Sequence, residues 1–185
     1  MRRAVLVNGV PASGKTTFAD GLTRFLIAEG IAAVPLGLDT VKEALFAHLG
    51  AGDRDHNRML GRASYQAIFD TVARFDDGLV PVIDAWHGFQ PVEVVRENVA
   101  RAEIDEVIEV WCAVTAETAA ARYRARGPAR HPGHPPAAYA EELRELAARA
   151  APLSLGSVVR VDCEAEVPHA TLVAIRDLLR EPERE

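Results

Sequence analysis

The chain has 185 residues, of which 49% are hydrophobic and 26% are charged, a balance typical of one globular domain over residues 1–185. Its net charge of −6 argues against a nucleic-acid partner, because proteins that bind nucleic acid usually present a basic surface. No apolar run approaches the ~20 residues of a membrane span, so no membrane partner is expected. The two cysteines, Cys112 and Cys163, predict free thiols in a reducing cytoplasm. Nothing in the composition indicates an oligomeric state.

The first motif follows a short apolar run at residues 4–8. Residues 9–16 fit G-x-x-x-x-G-K-[ST], the phosphate-binding P-loop, and helical spacing continues after them to residue 29. Glycines allow backbone N–H groups to surround phosphate oxygens at the positive end of a helix. Lys15 supplies a cation for the outer phosphates, and the Thr16 hydroxyl is placed to ligate Mg²⁺. The motif predicts ATP and Mg²⁺ as cofactors, with the nucleotide bound by Gly9, Pro11, Ala12, Ser13, Gly14, Lys15, Thr16 and Thr17.

Apolar runs and helical spacing alternate along the rest of the chain. Five strands are predicted, at 4–8, 32–38, 79–84, 106–114 and 158–162. Helices are predicted near 15–29, 41–49, 58–76, 91–102, 116–126, 137–150 and 168–180. This alternation predicts an α/β fold, in which a five-stranded parallel sheet has helices on both faces. Ligands of such folds bind at the carboxyl ends of the strands.

Asp39 ends the second predicted strand. Thr40 and Glu43 have the spacing of a capping box for the next helix, so we expect Asp39 to lie outside that helix with its carboxylate available. A carboxylate at this strand end could orient and deprotonate an attacking hydroxyl. The simpler alternative is that Asp39 itself caps the helix.

The third strand ends at Asp84, which is placed to hold Mg²⁺ directly or through water, although it could also be an ordinary strand-end aspartate. Two aromatic residues, Trp86 and Phe89, follow it and either wall an acceptor pocket or pack in the core. His87 between them could contact the substrate or make only a structural hydrogen bond.

Arginines concentrate around a Gly- and Pro-rich segment. We expect Arg122, Arg126 and Arg130 to lie in a lid over residues 122–140 and to neutralise the transferring phosphoryl group; a solvated basic face is the alternative. His131 and His134 belong to the same segment, and we assign His134 to the acceptor side. Metal binding by them is not expected, because no cysteine or acidic residue lies at ligand spacing.

These motifs together resemble the small P-loop kinases of the AAA-33 type, which include chloramphenicol 3-O-phosphotransferases, zeta-toxin kinases and the kinase domains of polynucleotide kinases. The resemblance covers most of the chain. It rests on the P-loop, on the turn Gly37-Leu38-Asp39-Thr40, on the lid pattern R-x-x-x-R-G-x-x-R-x-x-G from Arg122 to Gly133, and on Val161-Asp162-Cys163 before a helix led by Pro168.

The resemblance implies a P-loop NTPase fold like that of nucleoside monophosphate kinases. It also implies that Asp39 is the base and that Lys15 and the lid arginines hold the phosphates. Lys42, where polynucleotide kinases carry an arginine, is expected to contact the acceptor. Residues 52–60 have no counterpart in the family that we can place.

We therefore expect an ATP-dependent phosphotransferase that acts on a hydroxyl of a small molecule such as an antibiotic or a metabolite. Alternatives are a nucleoside, nucleotide or 5′-polynucleotide kinase, or a regulatory ATPase without an acceptor. The sequence lacks the [NT]-K-x-D motif that marks guanine specificity, and no insertion of subdomain size suggests a large motor or transporter.

Overall fold

A computed structural model describes residues 1–127 and 131–180. The described residues form five strands: β1 (Arg3–Asn8), β2 (Ala32–Gly37), β3 (Leu79–Asp84), β4 (Glu106–Ala113) and β5 (Ser157–Asp162). Every pairing is parallel, and the strand order is β2-β3-β1-β4-β5. The predicted five-stranded parallel sheet is confirmed, with strand bounds that differ from the predicted ones by one residue at most.

Seven α-helices connect and cover the strands in the described parts of the chain. They are α1 (Lys15–Ala28), α2 (Leu38–Leu49), α3 (Arg54–Val72), α4 (Val92–Arg101), α5 (Ala116–Arg126), α6 (Ala140–Arg149) and α7 (His169–Arg180). Two short 3₁₀ helices, His87–Phe89 and Ala137–Tyr139, precede α4 and α6. None of the described helices is both long and apolar enough to cross a membrane.

The central strand shows why helices cover both faces of the sheet. Val5 and Val7 point to one side, where they pack in a core with Leu22 of α1 and Ile175 of α7. Ala4, Leu6 and their neighbours point to the other side and pack against α3 and α4. Because side chains alternate along a strand, the part of a strand that is buried on both sides must be apolar, as residues 4–7 of β1 are. The predicted cover on both faces is confirmed.

Two predicted helix starts are wrong. α2 begins at Leu38 rather than at residue 41, so Asp39 lies in the first turn of the helix and not outside it. Gly37 is the N-cap, and a Cβ on Gly37 would lie only 2.9 Å from the Thr40 hydroxyl oxygen, too close for an ordinary contact. Thr40 is therefore not the N-cap, although an acidic residue in the first turn still suits the helix dipole.

α3 begins at Arg54 rather than at residue 58. The Asp53 side chain caps it by accepting a hydrogen bond from the His56 amide at 2.9 Å. Residues 52–60, which had no assigned role, are thus the N-cap and the first two turns of a long helix. This places the polar residues of those turns beside α2.

Candidate functional site

The P-loop connects β1 to α1 at the carboxyl edge of the sheet. It is shaped by left-handed backbone at Ala12 (φ 65°) and Gly14 (φ 97°), and no side chain in the described part of the chain caps the N-terminus of α1. The backbone N–H groups of this helix end are therefore suited to an anionic ligand. The Lys15 ammonium donates to the Val10 carbonyl at 3.1 Å and lies at the mouth of the loop.

The start of the loop is packed too closely for a side chain. A Cβ on Gly9, whose φ is 151°, would lie 2.7 Å from the Ser13 Oγ and 2.9 Å from the Cys112 carbonyl oxygen. Ser13 is itself fully buried, and its hydroxyl has no hydrogen-bond partner among the described residues. These two predicted nucleotide-binding residues thus lie under the loop and shape it, while the other six line the cavity above it.

A buried polar network fixes the P-loop to the end of β3. The Asn8 side-chain oxygen accepts hydrogen bonds from the Gly9 and His87 amides, at 2.8 and 3.0 Å. Its amide nitrogen donates to Glu109 at 2.7 Å, and the Glu109 carboxylate also accepts from the backbone N–H groups of Leu153 and Ser154. A buried carboxylate needs such partners. Sequence reasoning placed Asn8 at the end of the first strand without assigning its hydrogen bonds, and it missed Glu109, because neither residue belongs to a motif.

Thr16 and Asp84 come together as predicted for an Mg²⁺ site. The Thr16 hydroxyl donates to the Asp84 carboxylate at 2.5 Å. Burial raises the pKa of Asp84, and Lys15 and the Thr16 hydrogen bond oppose that rise; the negative charge of Asp39 contributes to it. A hydroxyl and a carboxylate are oxygen donors of the kind that Mg²⁺ prefers. The four groups therefore form one electrostatic cluster where the end of a triphosphate would lie.

One cavity of about 650 Å³ extends from the P-loop over this cluster to a second compartment. Its far walls come from α2, α3, the turn after β3, and α6 with the segment before it. Predicted acceptor residues that line it are Asp39, Lys42, Trp86, Phe89 and His134. Residues of α3 and α6 that sequence reasoning did not select also line it, among them Arg54, Asn57, Arg58, Gly61, Glu142 and Leu146.

The α3 wall follows from helix geometry. Arg54, Asn57, Arg58 and Gly61 are spaced three or four residues apart and share one face. A Cβ on Gly61 would meet the end of the Lys42 side chain at 3.8 Å, an ordinary van der Waals distance, so the Lys42 side chain lies close to this face of α3. In the sequence these residues already have helical spacing. The first three are polar, however, and they lie before the apolar residues whose spacing predicted the helix.

His87 does not reach the cavity. Its side chain is fully buried, with Nδ1 2.7 Å from the Tyr65 hydroxyl and Nε2 3.3 Å from the Ile83 carbonyl oxygen. Burial lowers the pKa of His87 to about 4. A neutral ring with its proton on Nε2 satisfies both contacts, since Nδ1 then accepts from Tyr65. The structure therefore places His87 in the core rather than with the acceptor residues.

The predicted lid arginines separate. Arg126 lines the cavity, whereas Arg122 lies beside the P-loop, donates to the Cys163 carbonyl at 3.0 Å and comes near Gly14. Arg130 lies outside the described residues. Cys163 is half-buried and lies beside the buried Cys112. The hydrogen bond between the two sulfur atoms lowers the pKa of Cys163. The same hydrogen bond, together with burial, raises the pKa of Cys112.

Residues 131–136, here called the His–Pro loop, close the cavity against α2. His134 is 5% exposed, and its Nε2 is 2.7 Å from the Glu43 carboxylate. The His131 ring stacks on Phe46 with centroids 5.3 Å apart and planes 11° apart. At the other end, the Tyr123 hydroxyl donates to the Pro135 carbonyl at 2.8 Å. Both histidines therefore face the acceptor compartment, held by residues of α2.

Comparison with known proteins agrees with this geometry. Residues 5–153 match the AAA_33 family, described as an AAA domain. A search of curated proteins found no match. Among solved structures, a candidate kinase of Chloroflexus aurantiacus J-10-fl is 26% identical, with a TM-score of 0.76 and 97% of each chain covered.

Two further solved structures share the fold. The protein APE1195 is 21% identical, with a TM-score of 0.63 and 97% of this chain and 95% of that chain covered. The APS kinase CysC of Mycobacterium tuberculosis is 19% identical, with a TM-score of 0.53 and 97% of this chain and 98% of that chain covered. With the family model matching most of its length, the chain belongs to the AAA_33 family of P-loop, kinase-like domains.

Proposed function

We propose that this protein is an ATP- and Mg²⁺-dependent phosphotransferase that moves the γ-phosphoryl group to a hydroxyl of a small molecule. The observation that carries the proposal is the continuity of one cavity from Lys15 and Thr16, past Asp39 and Asp84, to a compartment with aromatic walls. A nucleotide on the P-loop would fill only the first part. The second part has the size and mixed polarity of a small-molecule site.

The nucleotide half would act through preorganised positive groups. Backbone N–H groups at the start of α1 and the Lys15 ammonium face the phosphates, and Arg126 approaches from the far wall. Thr16 and Asp84 would hold Mg²⁺, which when bound neutralises charge on the phosphate oxygens. When the hydrogen bond between Thr16 and Asp84 breaks, the Thr16 hydroxyl oxygen and the Asp84 carboxylate oxygen would both become available to the metal ion.

The acceptor half would act through Asp39. Its carboxylate lines the cavity and is close enough to Asp84 to raise that group's pKa. A hydroxyl between Asp39 and the P-loop would donate its hydrogen bond to the carboxylate, which orients the oxygen and accepts its proton as the new bond to phosphorus forms. The proton passes from the alcohol to Asp39, and ADP leaves.

The walls indicate an acceptor with an apolar part and polar substituents. Trp86, Phe89 and Leu146 supply apolar surface, while Lys42 and His134 supply polar groups. We propose an antibiotic or metabolite alcohol, as in the chloramphenicol phosphotransferases that the sequence resembles, in a protein that works in the cytoplasm. Long nucleic acid fits less well with a net charge of −6.

A nucleoside or nucleotide acceptor is the second candidate. It is favoured by three cationic side chains on the acceptor walls, Lys42, Arg54 and Arg58. Arg54 is already paired with Glu142, and Arg58 lies 3.6 Å from Asp55, so part of this charge is neutralised within the protein. A regulatory ATPase without an acceptor would not need a base at position 39, where a carboxylate would serve only the dipole of α2.

A mass-shift screen tests the proposal. The protein is incubated with MgATP and pools of alcohols, nucleosides, nucleotides and oligonucleotides, and each pool is searched for the mass of one added phosphoryl group. Transfer to a small alcohol supports the proposal, and transfer to a nucleotide supports the second candidate. ATP hydrolysis with no product in any pool would contradict both.

A further inference from the structure

We infer that Asn57 is a positioning residue that couples the acceptor-side Lys42 to closure of the His–Pro loop. Asn57 lies on the cavity face of α3, between the two elements that it joins. Its Oδ1 accepts a hydrogen bond from the Lys42 ammonium at 2.8 Å, and its Nδ2 donates to the Gly133 carbonyl. One short side chain therefore bridges α2 and the loop across the cavity.

Only one orientation of the Asn57 amide makes both bonds. An ammonium group can only donate, so it must face Oδ1, and a backbone carbonyl can only accept, so it must face Nδ2. A movement of Lys42 toward an acceptor therefore turns or releases the same amide that holds Gly133. The two contacts form one unit rather than two independent bonds.

The surroundings make this bridge sensitive to small displacements. Gly133 lies directly on the Phe46 ring, since an added Cβ would be 2.4 Å from a ring carbon. The Lys42 ammonium lies 5.5 Å from the centroid of the same ring, whose other contacts are with His131 and His134. The loop, the ring and Lys42 are thus packed as one cluster, and Asn57 supplies its hydrogen bonds to α3.

The consequence is a link between acceptor binding and loop position. When an acceptor binds to Lys42, the hydrogen bond from Lys42 to Asn57 changes. The hydrogen bond from Asn57 to Gly133 changes with it, and so does the position of the loop and of the cavity wall that contains Arg126. This role for acceptor binding rests on the proposed function. The bridge itself is a property of the folded chain and can be tested without ATP or an acceptor.

Hydrogen exchange of the loop is the direct test. The amides of His131, Gly133 and His134 are followed by mass spectrometry in ligand-free protein, with a peptide from β1 as the internal reference. Asn57→Ala removes both bonds. Asn57→Asp keeps an acceptor for Lys42 and places a carboxylate against the Gly133 carbonyl, so both variants lose the loop bond. We expect about fivefold faster loop exchange in each, as for one lost hydrogen bond, and unchanged exchange in β1.

A matched control and a double mutant isolate the coupling. Gln66→Ala removes an amide from the same helix, where its side chain donates to the Asp70 carboxylate, and should leave loop exchange unchanged. Lys42→Met keeps the apolar stem against Phe46 and should also speed loop exchange, although less. In the Asn57→Ala background, Lys42→Met should add nothing, because the bridge is already gone.

Three results would overturn the inference. The first is loop exchange at the wild-type rate in Asn57→Asp. The second is a double variant in which the rate increases caused by Lys42→Met and Asn57→Ala multiply. The third is an increase in loop exchange in Gln66→Ala as large as that in Asn57→Ala.

A kinetic readout extends the test to the reaction. With the alcohol found by the screen, Asn57→Asp should lower kcat about fivefold and leave the affinity for MgATP within twofold, because the P-loop is untouched. An unchanged kcat in a variant whose loop opens would refute the link to transfer. Failure of the wild-type protein to phosphorylate any alcohol would instead refute the proposed function and leave the exchange result standing.

Discussion

The stability of this protein should depend on one buried histidine in weakly acidic solution. His87 is fully buried, and burial lowers its pKa to about 4. An unfolded chain restores it to about 6.5, so between pH 6.5 and pH 4 the unfolded state binds a proton that the folded state does not. The free energy of unfolding therefore has its full value above pH 6.5. It decreases as the pH falls toward 4, by about 3 kcal/mol at most, because the unfolded state gains the proton.

The variant His87→Gln removes the titration and keeps an amide that can bond to the Tyr65 hydroxyl and the Ile83 carbonyl. Urea unfolding is followed by circular dichroism at pH 7.5, 6.0, 5.0 and 4.5 for the wild type and the variant. The variant is expected to be less stable at pH 7.5, because the packing around the imidazole is lost. The difference between the two proteins should shrink by about 2 kcal/mol on going to pH 4.5.

His48→Gln is the matched control, since His48 is an exposed histidine on α2. Its stability should follow the wild-type curve over the whole pH range. Parallel curves for the wild type and His87→Gln would contradict this prediction, because they would show that His87 does not take up a proton on unfolding in this range.

Three further predictions address the cavity. Gly9→Ala should destabilise the protein by about 3 kcal/mol in urea unfolding, because its Cβ would meet the Cys112 carbonyl oxygen at 2.9 Å in left-handed backbone; wild-type stability would contradict the P-loop geometry. Gly133→Ala should displace the Phe46 ring and speed hydrogen exchange of the His–Pro loop, and an unchanged rate would show that the ring yields without moving the loop. Asp84→Asn should raise the Mg²⁺ concentration needed for half-maximal ATP turnover at least tenfold, whereas an unchanged requirement would remove Asp84 from the metal site.

The sequence predicted those parts of the site whose geometry is local. The P-loop pattern places backbone N–H groups, Lys15 and Thr16 within a few residues of one another, so no long-range information is needed. Asp84 was also predictable, because a polar residue at the end of a buried strand must lie at the carboxyl edge of a parallel sheet.

The start of α2 was predicted wrongly for a specific reason. Thr40 and Glu43 satisfy the capping-box pattern, but Gly37 can take the extended N-cap conformation and leaves room for the Thr40 hydroxyl. The helix therefore begins three residues earlier than predicted, at Leu38. Local pattern alone could not distinguish two competing caps three residues apart.

Residues whose role depends on tertiary contacts were not predictable. His87 lies in the same turn as Trp86 and Phe89, and only its packing under Tyr65 separates it from the cavity. Asn57 stands in a polar stretch with no motif, and its importance arises from Lys42 and Gly133, fifteen and seventy-six residues away.

The proposed reaction is transfer of the γ-phosphoryl group from ATP to an alcohol, with Asp39 as the general base. It is tested by supplying ATP labelled in the γ-phosphate, with Mg²⁺ and the alcohol found by the screen, to the wild type and to Asp39→Asn. We expect label to appear on the alcohol, transfer by Asp39→Asn to fall by ~10²–10⁴-fold, and the affinity for ATP to be retained. Label released only as inorganic phosphate by the wild type, or transfer by Asp39→Asn at the wild-type rate, would contradict it.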